Sequence, residues 1–256
     1  MQLPTIATLT ALAALSLATA DSGPPAPASR FALVELFTSE GCSSCPPADA
    51  LLERLSADAL RSGEPIAALS FHVTYWNRLG WADRFSDEAF TRRQGAYGKR
   101  LRLASLYTPQ MVVDGEQEFV GSNGEAAKRA VGAALARARS TRVTLEVRPD
   151  RDGVIATCHV AGAPEGSVLW LAWADAMESS LPDRGENEGR HLHHANVVRA
   201  LERAPIAGGT YSGAIHLRRP ENVPGSVVAW VQQGDVGPVL GGVVARLGTG
   251  LTRPAP

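Results

Sequence analysis

Two cysteines separated by two residues can close and reopen a small disulfide ring. Cys42-Ser43-Ser44-Cys45 offers that pair between an apolar run of strand length and a run of helical spacing. A helix that starts at the second cysteine turns its backbone N–H groups and the positive end of its dipole toward the first. That favours the thiolate of Cys42, the form that attacks disulfides. The pattern points to thiol–disulfide exchange, with Cys42 as nucleophile and Cys45 as the thiol that resolves the mixed disulfide. A zinc site would want a second cysteine pair, which the chain lacks. Cys158, the remaining cysteine, alternates with Val154, Ala156 and Val160 on one strand face, which favours a buried inert thiol.

The elements that must hold the pair can be read on either side of it. Phe31–Phe37 is a strand-length apolar run, and Thr38–Gly41 is a loop. From Cys45 to Leu60 the spacing is helical, with Pro46 and Pro47 in a first turn where a missing N–H costs nothing. Ile66–Val73 reads as a second buried strand, and Thr74–Arg84 as a loop carrying Tyr75, Trp76 and Trp81. Ser86 is a good N-cap for a helix ending near Ser105. Gln110–Val113 and Glu118–Gly121 read as a hairpin around Asp114-Gly115, and Asn123 caps a helix to about Arg139. From Thr141 the texture becomes alternating, with short strands expected at 143–147, 154–160, 168–174, 211–217, 227–233 and 242–247. The expectation is an α/β domain over 31–140 followed by a small all-β, sandwich-like domain over 141–256.

Composition narrows the function classes. The chain has 256 residues, a net charge of −1, and 45% hydrophobic and 20% charged residues, an ordinary globular balance. A near-neutral charge argues against nucleic acid as the partner. Residues 1–20 read as an export signal, with an apolar run from Ile6 to Leu17 and small residues at Ala18-Thr19-Ala20. Residues 21–30 read as a Pro/Ala/Ser-rich linker. These features predict a periplasmic or secreted protein with no integral membrane segment once the signal is removed. In such a compartment a close cysteine pair can rest oxidised.

At these residues the chain resembles the thioredoxin superfamily. It is more specifically similar to a family of exported bacterial proteins known as domain of unknown function number twelve-twenty-three. The residues that carry the likeness run from Val34 to Asp49, through His72-Val73-Thr74-Tyr75-Trp76 and Leu79-Gly80-Trp81 to Asp83-Arg84-Phe85-Ser86. They continue in Tyr107-Thr108-Pro109-Gln110 with Val112-Val113, and in Gly185-Glu186-Asn187 through His194 to Asn196-Val197-Val198-Arg199. The resemblance implies a thioredoxin-like fold for the first domain and a cis Pro109 facing the cysteine pair. Thr108, Trp76 and Trp81 would then line a groove for a protein or small-molecule thiol or disulfide. It also suggests Glu35, on the first strand, as an acid that moves the Cys45 proton, although thioredoxins place theirs one position nearer the pair and one residue flips the face of a strand. No cofactor beyond a redox-active Cys42–Cys45 disulfide is implied.

Other readings stay open. Copper-delivery members of the superfamily join a cysteine pair to a histidine, so Cys42, Cys45 and His72 form an alternative Cu(I) set. The pair can also be a structural disulfide in a non-catalytic interaction module. His191, His193 and His194, beside Asp183, Glu186 and Glu188, allow a surface metal site or a hydrogen-bonded polar loop. Arg92, Arg93, Lys99, Arg100 and Arg102 give the second helix a basic side, read as a solvated face.

Overall fold

The computed structural model describes residues 30–218 and 223–248. The expected signal at 1–20 and the linker up to residue 29 lie outside the described residues. The chain runs β1 (Ala32–Thr38), α1 (Pro46–Ser62), β2 (Ile66–His72), α2 (Glu88–Arg100), β3 (Gln110–Val113), β4 (Gln117–Val120) and α3 (Gly124–Ala136). It continues through β5 (Arg142–Asp150), β6 (Gly153–Ala161), β7 (Ser167–Ser180), β8 (Leu192–Pro205), β9 (Thr210–Arg218), β10 (Gly225–Gln233) and β11 (Val239–Leu247). The architecture is mixed α/β: one eight-stranded sheet in the order β11-β10-β7-β8-β2-β1-β3-β4, and a three-stranded sheet in the order β5-β6-β9.

β1 and β2 are buried along their whole length and pair in parallel, from Ala32↔Ile66 to Thr38↔His72. Central parallel strands covered on both faces read as continuous apolar runs, and these do. α1 starts on Pro46-Pro47 and stops where Gly63 takes a left-handed φ of 71°. The cap of α2 is Asp87 rather than Ser86. The Asp87 carboxylate accepts from the Ala89 N–H at 2.7 Å, while the Ser86 hydroxyl donates to the Asp83 carbonyl. The helix stops at Arg100, short of the expected end near Ser105, because Arg102 turns the chain with a φ of 57°. Asn123 caps α3 as expected, accepting from Ala126 N–H at 3.0 Å.

Alternate residues of the large sheet feed opposite cores. Leu33, Phe37, Leu69 and Phe71 join Trp170, Ala172, Val228 and Trp230 on the face covered by Phe90 and Tyr97 of α2. Ala32, Val34 and Leu36 face α1 and α3. On the β7–β10 part of the sheet, Leu169, Leu171, Trp173, Val227, Ala229 and Val231 pack against Val154, Ala156, Cys158 and Leu217 of the three-stranded sheet. The second half therefore packs sheet on sheet, but its larger sheet is shared with the first half. β8 lies parallel to β2 through Ser70↔Val197. The strand expected at 168–174 extends to Ser180 and pairs with β8, an element the sequence reading did not anticipate. Among the described residues no helix is long and apolar enough to cross a membrane.

Candidate functional site

The site forms where β1 and β2 end and α1 begins. Beyond Thr38 the chain turns tightly: Gly41 N–H donates to Ser39 Oγ and Cys42 N–H to the Ser39 carbonyl, both at 3.1 Å. Cys45 occupies the N-cap of α1 without a side-chain cap bond, and its carbonyl accepts from Ala48 and Asp49. Cys42 and Cys45 are joined as a disulfide with their Cα atoms 5.4 Å apart. Both are 0% exposed, whereas Ser43 and Ser44 between them face solvent. The sulfurs thus lie directly beneath an exposed turn.

Two loops and a hairpin surround the pair. The Thr108–Pro109 bond is cis and Pro109 is buried. A Cβ added to Gly121 would meet Leu36 at 2.7 Å and both Ala48 and Pro109 at 3.1 Å, so the proline sits against the first turn of α1. Trp76 Nε1 donates to Thr108 Oγ1 at 2.8 Å, and its Cβ lies where a side chain on Gly41 would go. Trp81 Nε1 donates to Glu40 Oε2 at 2.6 Å. The structure therefore brings Thr108, Pro109, Trp76 and Trp81 around the cysteine turn.

The cover comes from the turn between β7 and β8. Asn187, 1% exposed, donates from Nδ2 to the carbonyls of Glu40 at 2.8 Å and Cys42 at 2.9 Å. Glu186 accepts from Ser43 N–H at 3.0 Å and from Ser43 Oγ at 2.6 Å, and these bonds hold its carboxyl below the usual range. The Gly185-Glu186-Asn187 segment singled out in the sequence is thus a latch over the cysteine turn.

Beneath the turn lies a buried cluster of acids and imidazoles. His72 Nδ1 and Asp83 Oδ2 are 2.7 Å apart, and the same Asp83 oxygen accepts from Glu40 N–H at 2.9 Å. Burial works to lower the His72 pKa, but Asp83, with Asp49 and Glu40 behind it, prevails and raises it. Asp83 is lowered: burial opposes this, and His72 outweighs it. His194 stands between two carboxylates, Nδ1 3.6 Å from Asp49 Oδ2 and Nε2 3.8 Å from Glu40 Oε1. Its ring centroid is 4.7 Å from that of His72, and Phe85 packs edge-on to both rings. Glu40 Oε1, Asp49 Oδ1, His72 Nε2 and both His194 nitrogens have no hydrogen-bond partner.

Sequence reading missed Asp49, Asp83 and Glu40 as members of this cluster. Asp49 carried a signal: it follows Cys45 by one helical turn, on the same face. Of the three histidines near 191, His191 and His193 are exposed and His194 turns inward. Glu35 is buried, yet it makes no hydrogen bond to either cysteine. Oε1 accepts from Arg93 Nε at 2.5 Å, and Oε2 from Arg93 Nη2 at 3.1 Å and Tyr97 Oη at 2.5 Å. Arg93, read as part of a solvated basic side, is accordingly 4% exposed. Burial pushes the free Cys158 thiol up to about 11. A convergent surface group, Asp150, Asp152 and His216, is also exposed, and Arg218 already supplies a cation to Asp152 at 3.6 Å.

The family model described as "Protein of unknown function (DUF1223)" matches residues 33–232. No curated protein matches the chain. The crystal structure of an Agrobacterium tumefaciens protein, a structural-genomics target, is similar over 89% of this chain and 98% of its own, with 22% identity and a TM-score of 0.66. At that identity the likeness concerns the fold alone.

Proposed function

The chain belongs to the DUF1223 family, and from the site geometry we propose that it is an exported thiol–disulfide oxidoreductase acting through Cys42 and Cys45. The observation that carries this reading is the placement of the pair. The disulfide bridges the turn that follows a central parallel strand and the uncapped N-terminus of a helix of 17 residues. The positive end of the helix dipole at that position favours a thiolate over a thiol, while Pro46 and Pro47 carry no N–H and those of Ala48 and Asp49 go to the Cys45 carbonyl. Reduced Cys42 would attack a substrate disulfide, and Cys45 would displace the substrate from the mixed disulfide. Run backwards, the same steps oxidise a substrate dithiol.

The fold supports a thioredoxin-like assignment for the first half. Its sheet order is β2-β1-β3-β4, with β1 and β2 parallel and β3 antiparallel to β1. α1 and α3 share one face and α2 takes the other. Thr108, Trp76 and Trp81 would border the groove for an extended thiol- or disulfide-bearing substrate, and a periplasmic or secreted setting would keep the pair oxidised at rest.

A second reading rests on one observation: both sulfurs are fully covered. A pair sealed under Asn187 and Glu186 suits a structural disulfide in a binding module. Titration against dithiothreitol buffers, with Cys42→Ser as control, separates the two. A potential in the range of exchange proteins, between about −120 and −270 mV, together with insulin reduction lost in Cys42→Ser, supports catalysis. A potential below about −300 mV with no turnover supports the structural staple.

A further inference from the structure

We propose that Asp49 is the group that exchanges the proton of Cys45, and that His194 positions it. The assignment rests on the exchange reading above and names its acid–base partner. Cys45 must ionise to attack the mixed disulfide, and it is 0% exposed, so the acceptor has to be a buried side chain. Glu35 is already committed to Arg93 and Tyr97. Asp49 is one helical turn beyond Cys45: its N–H donates to the Cys45 carbonyl at 3.1 Å. Side chains four residues apart on a helix stack on one face. Asp49 is 4% exposed and its Oδ1 has no hydrogen-bond partner. An unsatisfied oxygen of this kind leaves an acceptor open.

His194 is the basic side chain placed against that acid. It lies between Asp49 and Glu40, and neither carboxylate is hydrogen-bonded to an arginine or lysine. Of the titratable groups, His194 on β8 stands directly against Asp49, with Glu40 of the loop after β1 on its far side and His72 of β2, backed by Asp83, within electrostatic reach; Cys45 precedes Asp49 by one helical turn. Nδ1 of His194 is 3.6 Å from Asp49 Oδ2, so replacing the imidazole changes the electrostatic surroundings of that carboxyl.

The step balances as follows. In the mixed disulfide the substrate sulfur is bonded to Cys42 Sγ. The Cys45 thiol passes its proton to Asp49, and Cys45 Sγ attacks Cys42 Sγ. The Cys42–Cys45 bond forms, and the bond from Cys42 to the substrate breaks with its electron pair leaving on the substrate sulfur as thiolate. The cysteine pair loses two electrons and the substrate disulfide gains them. In the reverse direction Asp49 returns the proton to Cys45.

One probe resolves both steps. Reduced full-length protein mixed with 5,5′-dithiobis(2-nitrobenzoate) releases one thionitrobenzoate when Cys42 attacks and a second when Cys45 resolves. In Asp49→Asn the first release should stay within about twofold of wild type and the second should slow by about 100-fold at pH 7. The gap should close as pH rises and hydroxide ionises Cys45 directly. His194→Gln should shift the pH midpoint of the second release while sparing the first, which a purely structural histidine would not do, and Asp49→Glu should restore part of the rate. Should Asp49→Asn not fold, the His194→Gln profile decides alone, and an unshifted midpoint overturns the proposal. A second release unchanged in Asp49→Asn, or both releases slowed together, also overturns it. A wild-type protein that releases nothing removes the exchange reading itself, a separate failure.

Discussion

Arg93 and Glu35 meet in an interior where neither charge could stand alone. The guanidinium also donates to Gln232 at 2.9 Å and to the Asp235 carbonyl at 3.1 Å, and its carbon lies 4.7 Å from the Trp170 ring centroid. Removing one partner of such a pair leaves an uncompensated buried charge, at a cost of about 3–5 kcal/mol. Glu35→Ala should lose that much in urea unfolding, while the pH midpoint of Cys42 alkylation in the reduced protein stays put; a shifted midpoint would return Glu35 to the thiol chemistry. His72 and Asp83 make a second buried pair with a pH signature. Protonated His72 contributes fully below its unfolded value of about 6.5, and the contribution fades as pH rises through the raised folded value. Asp83 contributes above its unfolded value and loses this only as pH falls through its lowered folded value. The stability difference between wild type and Asp83→Asn should therefore be larger at pH 6 than at pH 9 in paired urea titrations, and a flat difference would show that His72 is neutral throughout. The cysteine pair and Pro109 were legible in the sequence because their meaning is local: spacing, a following helix, a following strand. The partners of Glu35 were not, because Arg93 and Tyr97 lie on α2, and no local pattern ties them to β1.

At the scale of elements, the turn from β7 to β8 is tied to the cysteine loop. Asn187 contributes two hydrogen bonds to backbone carbonyls on the cysteine loop, at about 0.5–1.5 kcal/mol each. Asn187→Ala should therefore favour the uncovered form and speed reduction of the disulfide by dithiothreitol on the order of tenfold. An unchanged rate would mean that the turn is no barrier. The Glu186 bonds to Ser43 weaken only as pH falls through a pKa already below the usual carboxylate range, so this side of the latch stays closed at neutral pH. The latch residues were visible as a motif, but their role was not. β8 reads poorly as a strand because Leu192–Pro205 carries three Ala, two Arg and a Glu, residues that favour helix. Pairing overrides that preference: β7 runs alongside from Ser180↔Leu192 to Val168↔Pro205, with a bulge where Trp173↔Ala200 gives way to Ala174↔Val198. Once β8 is in place, His194 is carried under the cysteine loop, and His191 and His193 remain exposed.

For the whole molecule, the change of texture near residue 140 marks a change of element type within a continuous sheet. β8 joins β2, and the α2 face of the sheet is one core in which Phe37, Phe71, Phe90 and Tyr97 pack together with Trp170 and Trp230. Polar contacts cross the same line: Arg93 and Tyr97 bond Gln232, and Arg139 bonds the Val239 carbonyl at 2.6 Å while pairing with Asp114. Cutting the chain at 140 would expose that apolar face and strand the Arg93 guanidinium without two of its acceptors. Exposed apolar area forfeits about 25 cal/mol per Å². A fragment spanning 30–140 should therefore keep helical circular dichroism yet bind a hydrophobic dye and melt without a sharp transition, whereas the full chain should unfold in one cooperative step. Calorimetry of both decides it. A fragment with its own sharp endotherm, or a full chain that melts in two steps, would mean that the halves are autonomous. The latch over Cys42 would then be a contact between independent domains, and its opening would need no disturbance of the sheet.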